Sequence, residues 1–152
     1  MSRKVIRLLV IAVSAFVIFK FVFVPVIING MSMEPTYHNG GLTFINRLVY
    51  LARAPKRGEV VAIRTSGLAI MYMKRVVALP GETLAIDNGV VKINGVPIAE
   101  PYVHDRSATW QVTPVKLSGS EYYVIGDNRS VEESQHLFGR VARERIVGRA
   151  LW

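Results

Sequence analysis

The chain begins with a long apolar run and continues as short apolar segments that are separated by polar turns. Across residues 5–28 the only charged side chains are Arg7 and Lys20. A helix that crosses a bilayer needs about 20 apolar residues, so this run predicts a helical membrane anchor. Pro25 has no backbone N–H to donate and disrupts a helix interior. The helix is therefore expected to end just before it.

A cleaved secretory signal is the alternative, since residues 8–19 form an uncharged core behind a basic start. The run ends without small residues at a cleavage position and leads directly into a polar motif, which favours a retained anchor. We predict an anchor and interfacial segment over residues 1–28 and a β-rich peptidase domain over 29–152. Because Arg3, Lys4 and Arg7 precede the span, the N-terminus is expected in the cytoplasm and the domain outside.

The rest of the chain has the pattern of an antiparallel β domain. Residues 82–86 and 90–93 alternate apolar and polar positions around Asp87-Asn88-Gly89, which predicts a β-hairpin. Asn94-Gly95 starts a second reversal. Residues 101–114 are expected to be irregular, with Trp110 as a packing anchor. Further strands are predicted over 42–46, 59–64, 68–78, 115–117, 121–125 and 139–146. Many short strands between turns indicate a mainly β fold.

Composition excludes several classes of protein. The net charge is +8, but Arg3, Lys4, Arg7 and Lys20 carry half of it, and the remaining excess is small. A nucleic-acid-binding protein concentrates more basic charge on one element, so no nucleic-acid partner is expected. There is no cysteine, which rules out disulfides and thiolate metal sites. No pair of the three histidines has metal-ligand spacing, so neither a metal nor another cofactor is predicted.

Ser32 is the first candidate for chemistry, because it lies in a polar motif that directly follows the apolar run. A serine hydroxyl is a weak nucleophile near neutral pH and needs a base beside it. The histidines are candidates for that base, at His38, His104 and His136. None of them, however, belongs to a frame such as Gly-x-Ser-x-Gly that would mark a Ser-His-Asp triad.

Lys74 is the second candidate base. An amine can accept a proton only when it is neutral, and burial among apolar groups lowers a lysine pKa. The neighbours of Lys74 can supply such burial: Met71, Tyr72, Met73, Val76 and Val77. Successive side chains of a strand point to opposite faces. We therefore expect Lys74 to face inward and Arg75 to face solvent.

Three motifs in order carry a resemblance to a known family. They are GMSMEPT at residues 30–36, KRVVALPGE at 74–82 and GDNR at 126–129. With the apolar run before them, this set resembles type I signal peptidases. These are membrane-bound Ser-Lys endopeptidases that remove signal peptides from exported preproteins. The resemblance implies two partners, namely signal peptides of preproteins and a lipid bilayer, and it leaves the oligomeric state open.

The resemblance also implies roles for individual residues. Ser32 corresponds to the nucleophile and Lys74 to the general base, and the backbone N–H of Ser32 would contribute to the oxyanion hole. An extended substrate would add a strand beside the lysine segment, with small pockets for alanine-like side chains. The residues implied in substrate binding are Met31, Met33, Met71, Tyr72 and Met73. Those implied in structural support are Gly30, Pro35, Asp127, Asn128, Arg129, Ser130 and Ser134.

The chain departs from the family pattern in two places. Some members carry a hydroxyl two residues before the nucleophile, where this chain has Gly30. The serine that usually hydrogen-bonds the lysine falls on Glu132, whose charge would favour the ammonium form of Lys74. Ser130 and Ser134 are the alternatives for that supporting role.

The altered segment leaves three functional hypotheses open. The first is a general signal peptidase in the plasma or inner membrane, with a single pass. The second is a specialised peptidase that matures one precursor, for example a conjugation or pilus protein. The third is a noncatalytic, membrane-tethered module that binds exported peptides.

Overall fold

One long helix and two antiparallel sheets make up the computed structural model, which describes residues 2–65, 71–130 and 139–151. The helices are α1 (Arg3–Val22) and α2 (Val49–Ala52). The strands are β1 (Phe23–Ile27), β2 (Leu42–Asn46), β3 (Val60–Arg64), β4 (Met71–Ala78), β5 (Thr83–Asp87), β6 (Val90–Ile93), β7 (Val96–Pro97), β8 (Val112–Lys116), β9 (Glu121–Ile125), β10 (Arg140–Ala142) and β11 (Ile146–Ala150). The mainly β, antiparallel fold expected from the sequence is confirmed.

The N-terminal helix forms where the apolar run predicts it. Ser2 caps α1 by accepting a hydrogen bond from the backbone N–H of Val5. None of the side chains of α1 is buried against the rest of the chain. With 20 residues and a mean hydropathy of 2.5, the helix is long and apolar enough to cross a membrane. It ends at Val22, before Pro25 as expected.

The chain passes from α1 directly into the larger sheet. Phe23–Ile27, which we grouped with the anchor, forms β1 and pairs with β2 from Phe23↔Asn46 to Ile27↔Leu42. β1 is an edge strand, and an edge position tolerates the missing N–H of Pro25. The ring of Phe19 on α1 also contacts Phe44 on β2. The polar motif at residues 30–36 therefore leaves the end of this edge strand.

The larger sheet has seven strands in the order β1-β2-β11-β3-β4-β9-β10. β4 lies inside it, between β3 and β9, and is covered on both faces. Val76 and Val77 point to opposite sides of the strand and are both fully buried. Val76 packs with the β3 and β9 core, whereas Val77 packs with the core of the smaller sheet.

The smaller sheet has four strands in the order β7-β6-β5-β8. Its β5–β6 hairpin matches the prediction, with Asn88 at φ 48° and Gly89 at φ 76° in the turn. Trp110 is buried in the core below, as expected. The irregular stretch expected over 101–114 ends earlier than predicted, because β8 already begins at Val112 and pairs with the free edge of β5.

The last predicted strand, over 139–146, has different bounds in the structure. It divides into β10, a 3-10 helix at Arg143–Arg145, and the start of β11. β10 pairs with β9 at one edge, whereas β11 lies between β2 and β3. A change of partner requires a bend, and the alternation of apolar residues alone does not indicate one. The first residues of the strand predicted over 68–78 lie outside the described part of the chain.

Candidate active site

Ser32 lies in the turn that follows β1 and faces a narrow cleft. The cleft runs between the end of β1 and the start of β4, and its volume is about 50 Å³. A space of this size admits a small side chain or a few waters. Its lining is Val26, Ile27, Ile28, Asn29, Gly30, Ser32, Met33, Met71, Tyr72 and Met73. A hydroxyl at the wall of this small cleft is well placed to meet the backbone of an extended peptide.

The turn that carries Ser32 is held by the late polar motif. The backbone N–H of Asn128 donates to the carbonyl oxygen of Ser32 at 3.1 Å. The side-chain amide of Asn128 donates to the carbonyl of Met31, also at 3.1 Å. The hydroxyl of Ser130 in turn donates to Oδ1 of Asn128 at 2.5 Å, which fixes that amide. One residue thus secures two successive carbonyls of the serine turn.

Lys74 is buried in the middle of β4, opposite Val61 of β3, and only 4% of the residue is exposed. Burial lowers the pKa of Lys74 from its ordinary 10.5 to about 8, and the nearby charge of Asp127 opposes that shift in part. Among the described residues, no carboxylate forms a salt bridge with the Lys74 amine. A substantial fraction of this amine is therefore neutral in mildly alkaline solution.

Ser32 and Lys74 are both close to the turn at residues 126–129. Asp127 acts on the Lys74 amine through its charge, and the next residue, Asn128, holds the carbonyl of Ser32. The two candidates are 42 positions apart in the sequence. The fold brings both of them beside residues 127–128.

The charge of Asp127 is balanced by Arg75. The Arg75 guanidinium donates from Nε to Oδ1 at 2.7 Å and from Nη2 to Oδ2 at 2.5 Å. Thr36, the last residue of the serine motif, donates to the same carboxylate at 2.6 Å. The expectation that Arg75 faces solvent was wrong: it is buried, because β4 is covered on both faces and Asp127 supplies a paired anion.

A second buried ion pair supports the same turn from behind. Nη2 of Arg129 donates to Oε1 of Glu100 at 2.5 Å, and Nε of Arg129 donates to the carbonyl of Gly126 at 2.6 Å. Arg106 approaches the other carboxylate oxygen of Glu100 at 3.4 Å. Arg129 thereby closes the turn at 126–129 on itself and ties it to Glu100 in the loop that follows β7.

The sequence and the fold of this chain are similar to those of known proteins. A family model described as signal peptidase, peptidase S26, matches residues 1–152. Signal peptidase I T of Bacillus subtilis (strain 168) is 37% identical over 144 residues, which cover 88% of this chain and 75% of that protein. The chain belongs to the signal peptidase family. It is thus a peptidase of a family that acts on signal peptides.

Further relatives agree with the signal peptidase assignment. A signal peptidase I of Bacillus amyloliquefaciens is 36% identical over 153 residues, which cover 93% of this chain and 79% of the relative. The crystal structure of a signal peptidase I from Enterococcus faecalis V583 has 25% identity and a TM-score of 0.52. That match covers 64% of this chain and 97% of the solved chain.

Most side chains expected to bind the signal peptide line one cleft in this signal peptidase. Met33, Met71, Tyr72 and Met73 lie there with Ser32. Met31 has an exposed side chain, and its contribution to the site in the structure is the carbonyl held by Asn128.

Gly30 borders the cleft directly, and its backbone N–H donates to the side chain of Asn39 at 2.9 Å. Pro35 instead lines a second, polar cavity behind the serine turn, together with Asp127 and Asn128.

The structure gives a physical reason for glycine at position 30. Gly30 has φ +108°, a conformation that side-chain-bearing residues rarely adopt, although no atom would contact an added Cβ. A serine there would fit sterically but would strain the backbone. The other departure from the family pattern, Glu132, lies with Ser134 and His136 outside the described residues.

Sequence reasoning missed three side chains that belong to the site. Thr36 binds Asp127, Glu100 binds Arg129, and the ring of Tyr102 covers the guanidinium of Arg75. Thr36 lies in the serine motif, so its position was a usable signal. Glu100 and Tyr102 lie in an irregular loop, where periodicity carries no information about contacts.

Proposed function

We propose that this signal peptidase is a membrane-anchored serine endopeptidase that cleaves signal peptides with Ser32 as nucleophile and Lys74 as general base. The observation that carries the proposal is the buried Lys74 amine, with its pKa lowered to about 8, close to Asp127 in the turn whose Asn128 binds the carbonyl of Ser32. Neutral lysine beside a serine hydroxyl is a sufficient base for acyl transfer.

The reaction follows from these two groups. The neutral Lys74 amine takes the proton from the Ser32 hydroxyl as Oγ bonds to the carbonyl carbon before the cleaved bond. The resulting oxyanion is stabilised by the backbone N–H of Ser32. The Lys74 ammonium then returns the proton to the leaving amine as the peptide bond breaks. Lys74 then takes a proton from water as the water oxygen bonds to the ester carbon, and it returns that proton to Oγ of Ser32 as the ester bond breaks and the signal peptide leaves.

The shape of the cleft supports an extended substrate with small side chains near the cleaved bond. Met71–Met73 of β4 lies on one wall, and the end of β1 lies on the other. A peptide in extended form can hydrogen-bond to such strands while alternate side chains enter the cleft. A volume of about 50 Å³ favours alanine-like side chains over larger ones.

In the proposed arrangement, α1 crosses the bilayer and this cleft lies beside the membrane. α1 leads without a linker into β1, and the serine turn starts three residues after β1 ends. The positive charges before α1 orient its N-terminus toward the cytoplasm. The catalytic domain then lies outside the plasma or inner membrane, where the signal peptides of exported preproteins arrive.

Preprotein cleavage by purified protein in detergent tests the proposal. Wild type should cut at the Ala-x-Ala junction, and Ser32→Ala and Lys74→Ala should each lose at least about a thousandfold in kcat. Ser120→Ala and Lys92→Ala, which lie away from the cleft, serve as matched controls and should keep wild-type activity. Full activity in either dyad variant would reject the mechanism. If the protein cleaves a single dedicated precursor and no general preprotein, the specialised peptidase is supported. If it binds signal peptides without cleaving them, the noncatalytic module is supported.

A further inference from the structure

Tyr102 lies over the ion pair beside the proposed base. Its ring centroid is 3.9 Å from Cζ of Arg75, a stacking distance for a guanidinium on an aromatic face. The N–H groups of the same guanidinium bind the Asp127 carboxylate and the carbonyl of Gly58, the latter at 2.6 Å. Arg75 is thus fixed between a ring, an anion and a backbone oxygen.

The phenol of Tyr102 is itself held in place. Its hydroxyl donates to Oε1 of Glu100 at 3.2 Å, the oxygen that also accepts from Arg129. Burial, followed by the charge of Glu100, raises the pKa of Tyr102 far above its usual range. The raised pKa favours the neutral phenol, whose π face lies over the Arg75 guanidinium.

We propose that Tyr102 is a positioning residue whose ring holds the Arg75 guanidinium on the Asp127 carboxylate, beside Lys74. This inference rests on the proposed function, in which Lys74 acts as a neutral amine. Asp127 favours the charged form of Lys74 in proportion to how much of its own charge remains unbalanced. When the Arg75 guanidinium keeps both hydrogen bonds to Asp127, it balances the charge of the carboxylate. When the guanidinium is displaced, the charge of Asp127 acts more strongly on the Lys74 amine.

Within residues 2–65, 71–130 and 139–151, few charged and titratable groups act on this arrangement. Arg75 faces Asp127, Tyr102 and Tyr37, and Asp127 is also the charged group that acts on Lys74. Tyr102 faces Arg75, Glu100 and Arg129. Because Tyr37 and Tyr102 both have raised pKa values, Lys74 is the group in this set whose protonation changes near pH 8.

The test compares three substitutions of Tyr102 in the full-length chain in detergent. Tyr102→Leu and Tyr102→Met remove the aromatic face, and Met provides a second variant if Leu does not fold. Tyr102→Phe keeps the face and loses only the hydroxyl bond to Glu100. The first readout is the pH at which the Lys74 amine titrates, followed by NMR in a Ser32→Ala background. The second is the acid limb of kcat against pH in the Ser32 enzyme.

Loss of the ring should raise the midpoint of the Lys74 titration and the midpoint of the acid limb of kcat by about one pH unit. This is the lower end of the effect that a nearby unbalanced charge has on a pKa. kcat at pH 7 should fall by up to about tenfold with little change in KM, and Tyr102→Phe should match wild type. An unchanged titration in both ring-removing variants would overturn the proposal, and so would an equal shift in Tyr102→Phe. Because the NMR readout requires no catalysis, it separates this failure from that of the Ser32–Lys74 mechanism.

Discussion

The carboxylate of Asp127 accepts two hydrogen bonds from the guanidinium of Arg75, at 2.7 Å from Nε and 2.5 Å from Nη2. This buried pair lies between the two halves of the proposed site. Arg75 follows Lys74 on β4, and Asp127 precedes Asn128, which holds the carbonyl of Ser32. The ion pair therefore fixes the distance between the strand that carries the base and the turn that supports the nucleophile.

Removal of one partner of that pair should be costly. In Asp127→Asn the Arg75 guanidinium stays buried without a balancing anion, and we expect a loss of about 3–5 kcal/mol in the free energy of unfolding. Urea denaturation followed by circular dichroism measures it. Asp87→Asn, which breaks the exposed pair with Lys92, is the matched control and should leave stability unchanged. Equal effects of the two substitutions would show that the buried pair has no special role.

Activity should rise with pH through the titration of Lys74. The base works only as the neutral amine, so kcat/KM should increase tenfold per pH unit on the acid side and level off above about 8. The measurement is initial cleavage rates of a preprotein from pH 6 to 10. If kcat/KM instead rises with a midpoint near the ordinary lysine pKa of 10.5, burial does not lower the pKa of Lys74.

The same burial should cost stability. The folded pKa of Lys74 is lowered to about 8 against 10.5 in the unfolded chain, so below pH 8 both states are protonated and the full penalty applies. Between pH 8 and 10.5 the unfolded chain binds more protons, and stability due to this residue rises with pH. Lys74→Met should therefore stabilise the protein at pH 7, by an amount on the order of 3 kcal/mol, and by less at pH 10.

Chemical denaturation of Lys74→Met and wild type at the two pH values checks this. A variant no more stable than wild type at pH 7 would contradict the prediction. Lys92→Met, which removes the exposed amine that is paired with Asp87 in the smaller sheet, controls for the substitution itself and should not stabilise the protein at pH 7.

Gly30 should resist replacement for reasons of backbone geometry. At φ +108° a side chain costs about 1–2 kcal/mol, even though space is open around it. Gly30→Ser should lower both stability and kcat, because the strain lies two residues from Ser32. Gly119→Ser, also in open space but without an unusual φ, should be neutral. A gain in kcat for Gly30→Ser would show that an added hydroxyl outweighs the strain.

Motifs and turn chemistry predicted much of this molecule. The hairpin around Asn88-Gly89, the helix that ends before Pro25 and the burial of Trp110 all follow from local pattern. The burial of Lys74 also follows, since its neighbours on β4 are apolar. Such features depend on residues close in sequence, and local physics is sufficient to set them.

The features that local pattern did not predict depend on contacts between residues far apart in the sequence. The alternation of side chains along β4 predicts that Arg75 faces solvent, but the smaller sheet and Asp127 cover that face of the strand. The stack of Tyr102 on Arg75 joins an irregular loop to a central strand, and no sequence period relates them. The split of the last predicted strand into β10 and β11 likewise depends on which edges of the sheet remain open.

The protonation of Lys74 is the most direct test of the central claim, which is that a neutral amine beside Ser32 performs the chemistry. Titration of this side chain by NMR, with Lys74→Ala to assign the signal, reports it without reference to substrate. The account predicts a midpoint of about 8. A midpoint at the ordinary lysine value of 10.5 would contradict it.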